Sequence, residues 1–457
     1  MEFDTIAAIS TPVGEGGIAI IRISGEQTIP LVEPFFSGKD KLSVLLSHTL
    51  NYGFFVDQSN VIIDEVLLSI MRAPRSFTRE DVVEINCHGG FLVANKILSI
   101  LLENGIRLAE PGEFAKRAFL NGRIDLTQAE AISDLIRAKT DRARAIALQQ
   151  VTGKLSDKVH ELRGRVIELL AFIEVNIDYP EHDIAEVTLD YINENLLSLQ
   201  SELVLLLAQA QEGRIYRDGV ATAIIGRPNV GKSSLLNVFL KEARAIVTDI
   251  PGTTRDIIEE YVNIRGIPLK LIDTAGIRKT DNIVEQIGVE RSKQAIEQAD
   301  LLLVVFANDE ELTAEDLSLI ELIHETPTIV VINKSDLSNK LDEGLLHERL
   351  GDATFISTSL TAETGIEELK EAIANRVLTG ALSSDENSYL SNPRHIDLLR
   401  NTLVSIETAL LAVKNKEPID IIAIDLNQAY HFLSEVIGEA VADDLLNMIF
   451  ANFCLGK

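Results

Sequence analysis

Residues 220–234 read "VATAIIGRPNVGKSS", in which a short apolar run is followed at once by a glycine-rich turn and a lysine. The last nine residues fit the pattern G-x-x-x-x-G-K-[ST] between a predicted strand and a predicted helix, as a phosphate-binding loop requires. Backbone N–H groups of such a loop, and the positive end of the following helix, attract phosphate oxygens. This stretch therefore predicts a nucleotide-binding α/β unit.

The apolar runs after residue 268 alternate with helical stretches, which is typical of a doubly wound sheet of parallel strands. The runs before residue 337 are rich in Ile, Leu or Val, as expected for strands that are buried on both faces. The runs are "LKLIDTAG" (269–276), "DLLLVVFAN" (300–308), "TIVVINKSD" (328–336) and "TFISTS" (354–359), and the helix "GIEELKEAIANRVL" (365–378) closes the unit. A Ras-like parallel sheet is therefore predicted.

The remaining sequence divides into an α+β pattern and a helical pattern. Short strand-like runs and one helix occupy the first part, at 16–25, 49–56, 61–72, 81–87 and 91–105. Long helices with apolar residues at three- and four-residue steps are predicted over 127–153, 154–177, 189–213, 392–413 and 426–453. About seventy helical residues at the end of a chain rarely fold alone, so we expect them to pack against the earlier helices.

These patterns predict a multidomain protein with an α+β N-terminal domain, an α-helical central domain and an inserted α/β domain. A chain of 457 residues is too long for a single core, which agrees with about three domains. The predicted bounds are 1–118 for the N-terminal domain, 119–213 and 381–457 for the two helical parts, and 214–380 for the inserted domain.

The formal net charge of −28 weighs against a chain that binds nucleic acid by itself, because such binding needs Lys and Arg to neutralise phosphates. A basic partner or a small local patch would have to contact any RNA. The N-terminus "MEFDTIAAIS" is acidic where a targeting peptide would be basic, and no stretch of about 18 apolar residues occurs. We therefore expect a cytoplasmic protein that does not enter membranes. The two cysteines, Cys87 and Cys454, cannot form a disulfide framework and lack zinc-ligand spacing.

Polar residues at the strand ends indicate which nucleotide the loop binds. Lys232 would reach the β- and γ-phosphates, and Ser233 would bind Mg²⁺. In "NKSD", the Asp336 carboxylate can accept hydrogen bonds from two donors on the guanine edge that adenine lacks. "DTAG" and "PGTTRD" add Asp273 near the Mg²⁺ shell and Thr254 as a second Mg²⁺ ligand. Each tetrapeptide alone could be an ordinary polar turn, but their order at strand ends predicts a GTP site.

The group that assists hydrolysis is harder to identify. Ile277 follows "DTAG", and an aliphatic side chain cannot orient the attacking water as the Gln of Ras does. Arg255 and Arg278 are candidates for an arginine finger, although surface charge is the commoner role of such residues. Because removing a finger costs about 10³ to 10⁵ in rate, another positive group must replace it.

Motifs in every part of the chain together resemble those of the MnmE (TrmE) family of tRNA-modification GTPases. They are "TPVGEGGIAIIRISG", "SFTREDVVEINCHGG", "PGEFAKRAFLNGRIDLTQAEA", "GRPNVGKSSLLN", "VTDIPGTTRD", "DTAGIR", "NKSD" and the terminal "FCLGK". Few other GTPases combine such an N-terminal segment with a cysteine-containing terminus. The resemblance is therefore specific and covers the whole chain.

The resemblance implies a monovalent cation in place of the arginine finger. In the family, K⁺ lies beside the β- and γ-phosphates, and the matching ligands here are Asn229, Thr248, Ile250 and Thr253. A positive charge there would neutralise the charge that develops in the transition state. The water-orienting acid of the family matches Glu285. The full set of matching GTP contacts is Asn229, Val230, Gly231, Lys232, Ser233, Ser234, Thr248, Asp249, Ile250, Pro251, Gly252, Thr253, Thr254, Asp273, Thr274, Ala275, Gly276, Asn333, Lys334, Asp336 and Ser359.

The N-terminal domain of the family resembles folate-dependent one-carbon enzymes, pairs into a homodimer and binds a tetrahydrofolate derivative. The matching contacts are Arg22, Glu84, Arg123 and Lys457. A carboxylate can accept hydrogen bonds from the amines of the pterin, and cations can bind the glutamyl carboxylates. The family brings its C-terminus to this site, which would place Cys454 near the transferable carbon. Cys454 is either a nucleophile or a packing residue, since a thiol of ordinary pKa is mostly protonated.

The implied activity is hydrolysis of GTP together with modification of C5 of the wobble uridine in tRNA, using carbon from 5-formyl- or methylene-tetrahydrofolate. An FAD-dependent partner of the MnmG/GidA family would join in a heterotetramer-type complex and make most of the tRNA contacts. The product would carry an aminomethyl or carboxymethylaminomethyl group. Two alternatives stay open at this point. One is a ribosome-assembly GTPase of the Era or Der type, although no Lys/Arg-rich domain occurs here, and the other is a folate-binding module in which GTP turnover is merely regulatory.

Overall fold

The structure is a computed structural model that describes residues 4–12, 14–178, 185–243, 260–272, 293–323, 326–378, 389–453 and 456. Two β-sheets and a series of long helices make up these ranges. Within them, no helix combines the length and the apolar character needed to cross a membrane.

A seven-stranded sheet forms the N-terminal part of the chain. Its strands are β1 (Ile6–Ile9), β2 (Ile18–Ser24), β3 (Phe36–Gly38), β4 (Thr49–Val56), β5 (Ile62–Met71), β6 (Val82–His88) and β7 (Arg107–Leu108). Their order across the sheet is β3-β4-β5-β6-β2-β1-β7. Strands β1 and β7 are parallel, and the other neighbours are antiparallel.

Helices cover one face of this sheet, and the other, called here the open face, is covered at β1, where Phe114 packs on Ile6 and Ala8, and exposed at β4. Helices α1 (Thr28–Val32) and α2 (Phe91–Glu103) pack against alternating apolar side chains of the strands, such as Ile21 and Ile85. Successive strand residues point to opposite faces, so Arg22 and Glu84 lie on the open face. The open face therefore carries the charged residues that sequence analysis singled out.

In the described part of the chain up to residue 218, six helices follow the sheet. They are α3 (Glu113–Leu120), α4 (Leu126–Arg137), α5 (Asp141–Val151), α6 (Lys154–Asp178), α7 (Ala185–Ala208) and α8 (Ala210–Asp218). Helix α6 follows the predicted pattern closely, because Leu155, Val159, Leu162 and Val166 are all fully buried at three- and four-residue steps. Helix α8 continues through the segment "RIYRDG" and ends directly before the next strand.

The α/β part contains a six-stranded sheet. Its strands are β8 (Val220–Ile225), β9 (Glu260–Ile264), β10 (Ile267–Ile272), β11 (Leu301–Ala307), β12 (Thr328–Asn333) and β13 (Thr354–Ser357), in the order β13-β12-β11-β8-β10-β9. Its helices are α9 (Lys232–Ala243), α10 (Ala314–Glu321), α11 (Glu343–Arg349) and α12 (Ile366–Leu378). Both faces are covered, since Leu303 and Val305 of β11 belong to one core and Leu302 and Val304 to another.

Three helices end the chain, namely α13 (Pro393–Lys414), α14 (Ile419–Ile437) and α15 (Asp443–Ala451). One hydrophobic core contains residues between 155 and 210 together with residues between 390 and 437. The chain leaves and re-enters this core at adjacent points, because a Cβ on Gly213 would lie 2.0 Å from Leu390 O. The predicted insertion of an α/β domain into a helical domain is confirmed.

Strand β9 was not predicted from the sequence, and it is an antiparallel edge strand paired with β10. The two strands are joined by a hairpin at Arg265 and Gly266, which have φ of 50° and 89°. The strand lies at the end of the sheet, so the parallel strands that carry the nucleotide motifs keep the predicted arrangement.

Three predicted helices are each broken into two. The helix predicted over 189–213 is interrupted at Gln209, between α7 and α8. The helix predicted over 127–153 stops at Arg137, and Thr140 Oγ1 accepts a hydrogen bond from Ala143 N at 3.2 Å to begin α5. The helix predicted over 426–453 ends at Gly438, whose φ of 91° cannot continue a helix, and α15 follows.

Candidate functional site

The phosphate-binding loop connects β8 to α9 and needs glycine at two positions. Gly226 and Gly231 have φ of 146° and 112°. A Cβ on Gly226 would lie 2.4 Å from Val305 O, and one on Gly231 would lie 2.1 Å from Asn333 Nδ2. Neither position can hold a larger residue without a shift of its neighbours. Asn229 also has a positive φ, of 67°, which asparagine adopts more readily than most residues.

Lys232 is the first residue of α9, and its ammonium group lies against the loop. Nζ donates to Gly226 O at 2.7 Å and to Arg227 O at 2.5 Å. Burial lowers the pKa of Lys232 to about 8, because desolvation disfavours the charged form. A phosphate would supply the negative charge that this partly desolvated cation lacks, so the loop favours a phosphate ligand.

Asn333 joins the "NKSD" segment to the phosphate-binding loop. Its Nδ2 donates to Val230 O at 2.9 Å, and its Oδ1 accepts from Leu360 N at 3.3 Å. One buried side chain therefore fixes the phosphate-binding loop, the end of β12 and the loop that contains Ser359 relative to each other. Asp336 is exposed beside this junction, where its carboxylate can accept hydrogen bonds from a ligand.

Two acidic residues after β11 hold two cations at the same edge of the sheet. Lys334 Nζ lies 3.2 Å from Asp309 Oδ1 and 3.4 Å from Glu310 Oε1. Arg227 Nη2 lies 3.1 Å from Glu310 Oε2, and Arg227 Nε lies 2.7 Å from Asp316 Oδ2 on α10. Sequence analysis missed the role of Arg227, because the loop pattern places no requirement on that position. The contact ties the start of the loop to α10.

Many of the predicted residues lie outside the described part of the chain, so their roles stay predictions. They are Thr248, Asp249, Ile250, Pro251, Gly252, Thr253, Thr254, Asp273, Thr274, Ala275, Gly276, Glu285, Cys454 and Lys457, as well as Arg255, Ile277 and Arg278. Of the predicted cation ligands, the described ones are Ser233 and Asn229. Ser233 is half-buried in the first turn of α9, and Asn229 is exposed on the loop.

A second candidate site lies on the open face of the N-terminal sheet. Arg22 on β2 and Glu84 on β6 are partners in the strand register, and Arg22 Nε donates to Glu84 Oε1 at 2.8 Å. Gly456 O accepts from Arg22 Nη1 at 3.2 Å and from Ser10 Oγ at 3.1 Å. A Cβ on Gly456 would lie 2.6 Å from Ile9 O, so only glycine fits there. Gly456 therefore lies beside the Arg22–Glu84 pair.

The Arg22–Glu84 pair lines a cavity of about 650 Å³, a size that suits a small-molecule ligand. Arg123 lines the same cavity. Its Nη1 donates to Ser76 O at 2.5 Å, and its guanidinium carbon lies 5.2 Å from the ring centre of Phe77. The structure thus brings together the three described residues that were predicted as folate contacts.

The loop between β5 and β6 adds two arginines to the cavity, Arg75 and Arg79. Sequence analysis missed both of them. Their segment, "RAPRSFTRED" (72–81), contains three arginines in ten residues, which is a signal of local positive charge in an acidic chain. An arginine in a loop is more often a solvated surface residue, and sequence alone does not distinguish the two cases.

The fold and the first site define a class of protein. A phosphate-binding loop after one strand of an α/β sheet, with Asn-Lys-x-Asp after a later strand, is typical of a P-loop domain that binds a guanine nucleotide. Two family models match the chain, "GTP-binding protein TrmE N-terminus" over residues 5–123 and "MnmE helical domain" over residues 126–454. The chain belongs to the MnmE (TrmE) family of tRNA modification GTPases.

Full-length relatives agree with this assignment. Proteins named "tRNA modification GTPase MnmE" from Geobacillus kaustophilus and Bacillus subtilis are 54% and 52% identical to this chain. The alignments cover 100% and 99% of this chain and 100% of both relatives. The protein is therefore a GTPase that acts in tRNA modification.

Solved structures of other GTPases match a smaller part of the chain. The G domain of the T. maritima FeoB iron transporter is 27% identical, with 34% of this chain and 96% of that chain covered and a TM-score of 0.25. Era from Aquifex aeolicus is 24% identical, with 40% and 65% covered and a TM-score of 0.25. At TM-scores this low the two structures add nothing to the assignment.

Proposed function

We propose that the protein is a K⁺-activated GTPase that, with an FAD-dependent partner of the MnmG/GidA family, modifies C5 of the wobble uridine of certain tRNAs. The added aminomethyl or carboxymethylaminomethyl group would take its one-carbon unit from 5-formyl- or methylene-tetrahydrofolate. One observation carries this proposal. A single chain holds a guanine-nucleotide loop and, in another domain, an arginine-rich cavity beside its own C-terminal segment. GTP hydrolysis alone does not require the second cavity.

In the nucleotide site, different residues would contact different parts of the nucleotide and its metal ion. Lys232 would neutralise the β- and γ-phosphate oxygens, and Asp336 would accept hydrogen bonds from the guanine edge. Ser233, with Thr254, would hold Mg²⁺, which prefers oxygen ligands. Asn333 supports both ends of the site, because it bonds the phosphate-binding loop and the Ser359 loop at once.

A monovalent cation site is proposed beside Asn229. Its side chain is exposed on the phosphate-binding loop, where the amide oxygen can serve as a ligand together with Thr248, Ile250 and Thr253. K⁺ would supply a positive charge next to the β- and γ-phosphates. Glu285 would orient the attacking water, which Ile277 cannot do.

The arginine-rich cavity fits a reduced folate in size and charge. Glu84 is half-buried beside Arg22, and its carboxylate can accept hydrogen bonds from pterin amines. Arg22, Arg123 and Lys457 offer cations for the glutamyl carboxylates. The bound folate would supply the one-carbon unit. Cys454 would lie nearby as a nucleophile or as a packing residue.

The open face of the N-terminal sheet supports a homodimer. Ile18, Leu50, Tyr52 and Leu67 are between 41% and 63% exposed. The strand register puts all four on the same face as Arg22 and Glu84. An apolar area of this kind is typical of an interface, and a second copy would bury it next to the folate cavity. With a net charge of −28, the protein would leave most contacts with tRNA to its partner, in the cytoplasm.

Mass spectrometry of tRNA from a strain that lacks this protein tests the proposal. We expect loss of one wobble-uridine modification, restored by the wild-type chain but not by Lys232→Ala or Glu84→Gln. The two variants test the nucleotide site and the folate cavity separately, because Lys232 and Glu84 lie in different domains. Unchanged tRNA in the deletion strain would contradict the proposal.

A further inference from the structure

The arginine-rich cavity has an excess of positive charge that a short folate does not use. Its lining contains Arg22, Arg75, Arg79 and Arg123 but a single carboxylate, that of Glu84. Arg22 is paired with Glu84 at 2.8 Å. Within the described residues, the other three arginines form no ion pair. In a chain with a net charge of −28, such a concentration of unpaired guanidinium groups indicates a polyanionic ligand.

Arg79 is held in place by a hydrogen bond to the backbone of Asn121, whose side chain in turn bonds the backbone of Thr78. Its φ is 60°, a left-handed conformation that arginine adopts rarely. Its Nη1 donates to Asn121 O at 2.9 Å, and Asn121 Nδ2 donates back to Thr78 O at 2.7 Å. The guanidinium is therefore oriented in advance by neutral partners, which leaves its charge available.

A network of buried polar side chains holds the loop that carries both arginines. Ser76 Oγ donates to Glu80 O at 2.5 Å, and Ser24 Oγ donates to Glu80 Oε2 at 2.6 Å. Arg117, which is almost fully buried, lies 3.2 Å from Glu80 Oε1. An anchored loop loses little conformational freedom when a ligand binds, so the contacts of Arg75 and Arg79 contribute more to affinity.

The positions of these arginines relative to Glu84 suit the shape of a folate. In the proposed function the pterin lies at Glu84, in the middle of β6. Residues 72–81 connect the end of β5 to the start of β6, next to the registered pair Met71 and Val82. A ligand that extends from Glu84 toward this end of the sheet meets Arg79 and Arg75. The glutamyl end of folate is the part that would reach them.

We infer that Arg75 and Arg79 bind the additional carboxylates of a polyglutamyl tail, so that this cavity prefers polyglutamyl to monoglutamyl tetrahydrofolates. The preference rests on the proposed folate function and specifies that the polyglutamyl form binds more tightly than the monoglutamyl form. Each γ-linked glutamate adds one carboxylate, and arginine forms paired hydrogen bonds with carboxylates. RNA phosphates are the other available polyanion, but a cavity of about 650 Å³ has room for a short flexible chain and not for a duplex or a stem.

The test compares the affinities of monoglutamyl and triglutamyl 5-formyl-tetrahydrofolate for the full-length protein by calorimetry. For the wild type we expect roughly five- to thirtyfold tighter binding of the triglutamyl form, from two largely exposed ion pairs. The double variant Arg75→Gln/Arg79→Gln should bind both forms with similar affinity. Arg144→Gln/Arg400→Gln is the matched control, because it removes the same two charges from exposed positions on α5 and α13 and should keep the preference. Thermal unfolding of each variant checks that it folds.

The outcomes separate the inference from the function on which it rests. If the wild type binds both forms equally, the proposed contact with the polyglutamyl tail is contradicted, but the proposed binding of folate is not. If the double variant keeps the preference, other residues hold the tail and the assignment to Arg75 and Arg79 is overturned. If the wild type binds neither form, the folate function itself fails. Unchanged folate preference together with weaker tRNA binding in the double variant would assign the two arginines to RNA instead.

Discussion

Nε2 of His395 lies 2.6 Å from Oε2 of Glu130, and both side chains are buried where α13 meets α4. Arg394 Nη2 donates to the same carboxylate oxygen at 2.6 Å. Further along α4, Asp134 accepts a hydrogen bond from Arg217 Nε of α8 at 2.8 Å. Helix α8 leads into β8, and α13 follows the α/β domain in the chain. Helix α4 is therefore bonded to both connections of the GTPase domain.

The protonation states of this cluster follow from its burial and its permanent charge. Burial alone would raise the pKa of Glu130, but the hydrogen bond from His395 and the charge and hydrogen bonds of Arg394 outweigh it and hold this pKa below its ordinary value. Burial lowers the pKa of His395, against the attraction of Glu130. Since a guanidinium does not titrate, Arg394 keeps Glu130 ionised, and a neutral imidazole donates its Nε2–H. His395 Nδ1 has no hydrogen-bond partner in the structure, as expected for the unprotonated nitrogen of that tautomer.

Glu130→Gln should lower the free energy of unfolding by about 3 kcal/mol, because it leaves Arg394 partly buried beside a neutral amide. Denaturant unfolding followed by circular dichroism measures the change. Glu348→Gln, an exposed carboxylate on α11, is the control and should change stability by less than about 0.5 kcal/mol. Equal effects of the two substitutions would show that the buried cluster adds no stability.

His395 makes stability depend on pH. Its folded pKa is lowered below the ordinary value of 6.5, so the unfolded chain binds a proton that the folded chain refuses. Stability from this group is therefore present above pH 6.5 and is lost as pH falls below it, with a slope approaching about 1.4 kcal/mol per pH unit. His395→Gln should remove this slope between pH 6.5 and 5. Parallel stability curves for wild type and variant would contradict the buried neutral imidazole.

Lys232 should make nucleotide affinity depend on pH in the alkaline range. With a pKa of about 8 in the free loop, the lysine is partly neutral above pH 8, whereas bound phosphates favour its charged form. The affinity for a non-hydrolysable GTP analogue should therefore fall above pH 8, toward tenfold per pH unit. Lys232→Arg, which stays charged, should lack this dependence wherever it still binds. A wild-type affinity that is constant from pH 7 to 9.5 would exclude a depressed lysine pKa.

Asp336→Asn should shift base preference from guanine to xanthine, because an amide can donate a hydrogen bond where the carboxylate only accepts. Competition of GTP and XTP for a fluorescent nucleotide measures the preference. Asp309→Asn is a useful control, since that carboxylate contacts Lys334 and has no predicted contact with the base. Unchanged GTP binding by Asp336→Asn, with no binding of XTP, would place the base elsewhere.

GTP turnover should require K⁺ and fall steeply in Na⁺, if a cation at Asn229 replaces an arginine finger worth about 10³ to 10⁵ in rate. Asn229→Ala should lose the K⁺ response and keep nucleotide binding. Glu285→Ala should keep nucleotide binding and the K⁺ response but hydrolyse GTP slowly, because it removes the residue proposed to orient the attacking water. Rates are compared in KCl and NaCl at equal ionic strength. Equal wild-type rates would direct attention to Arg255 or Arg278.

Local sequence patterns predicted most of the fold, because strand burial and loop chemistry are local properties. The run "LLLVVFA" of β11 is buried on both faces, as its composition indicates. The missed strand β9 illustrates the limit. Its hairpin uses Arg265 and Gly266, whereas the turn signal that identifies such hairpins is Asn-Gly or Asp-Gly. The helix break after Arg137 was hidden for the same reason, since no Gly or Pro marks it.

Contacts between distant segments could not be predicted from the residues that make them. Glu130 and His395 are ordinary helix residues in sequence, and the way α13 packs on α4 brings them together. Asn333 was predicted to recognise the nucleotide, but its bond to Val230 depends on how β12 and β8 lie in the sheet. The roles of Arg75 and Arg79 likewise need the position of the β5–β6 loop relative to Glu84. Local motifs predicted which residues bind the ligand, but they did not predict the contacts with distant segments that hold those residues in place.

The shared helical core has a consequence for how the chain folds during synthesis. Helices α6 and α7 emerge first, but much of their apolar surface is buried by residues 390–437. At about 5–20 residues per second, the ribosome needs on the order of ten seconds or more to make residues 211–389. During that interval the GTPase domain can fold around the cores on the two faces of its sheet. The apolar surface of α6 and α7 stays exposed until residues 390–437 are made. Binding by a chaperone during translation would protect this surface from aggregation until the last helices arrive.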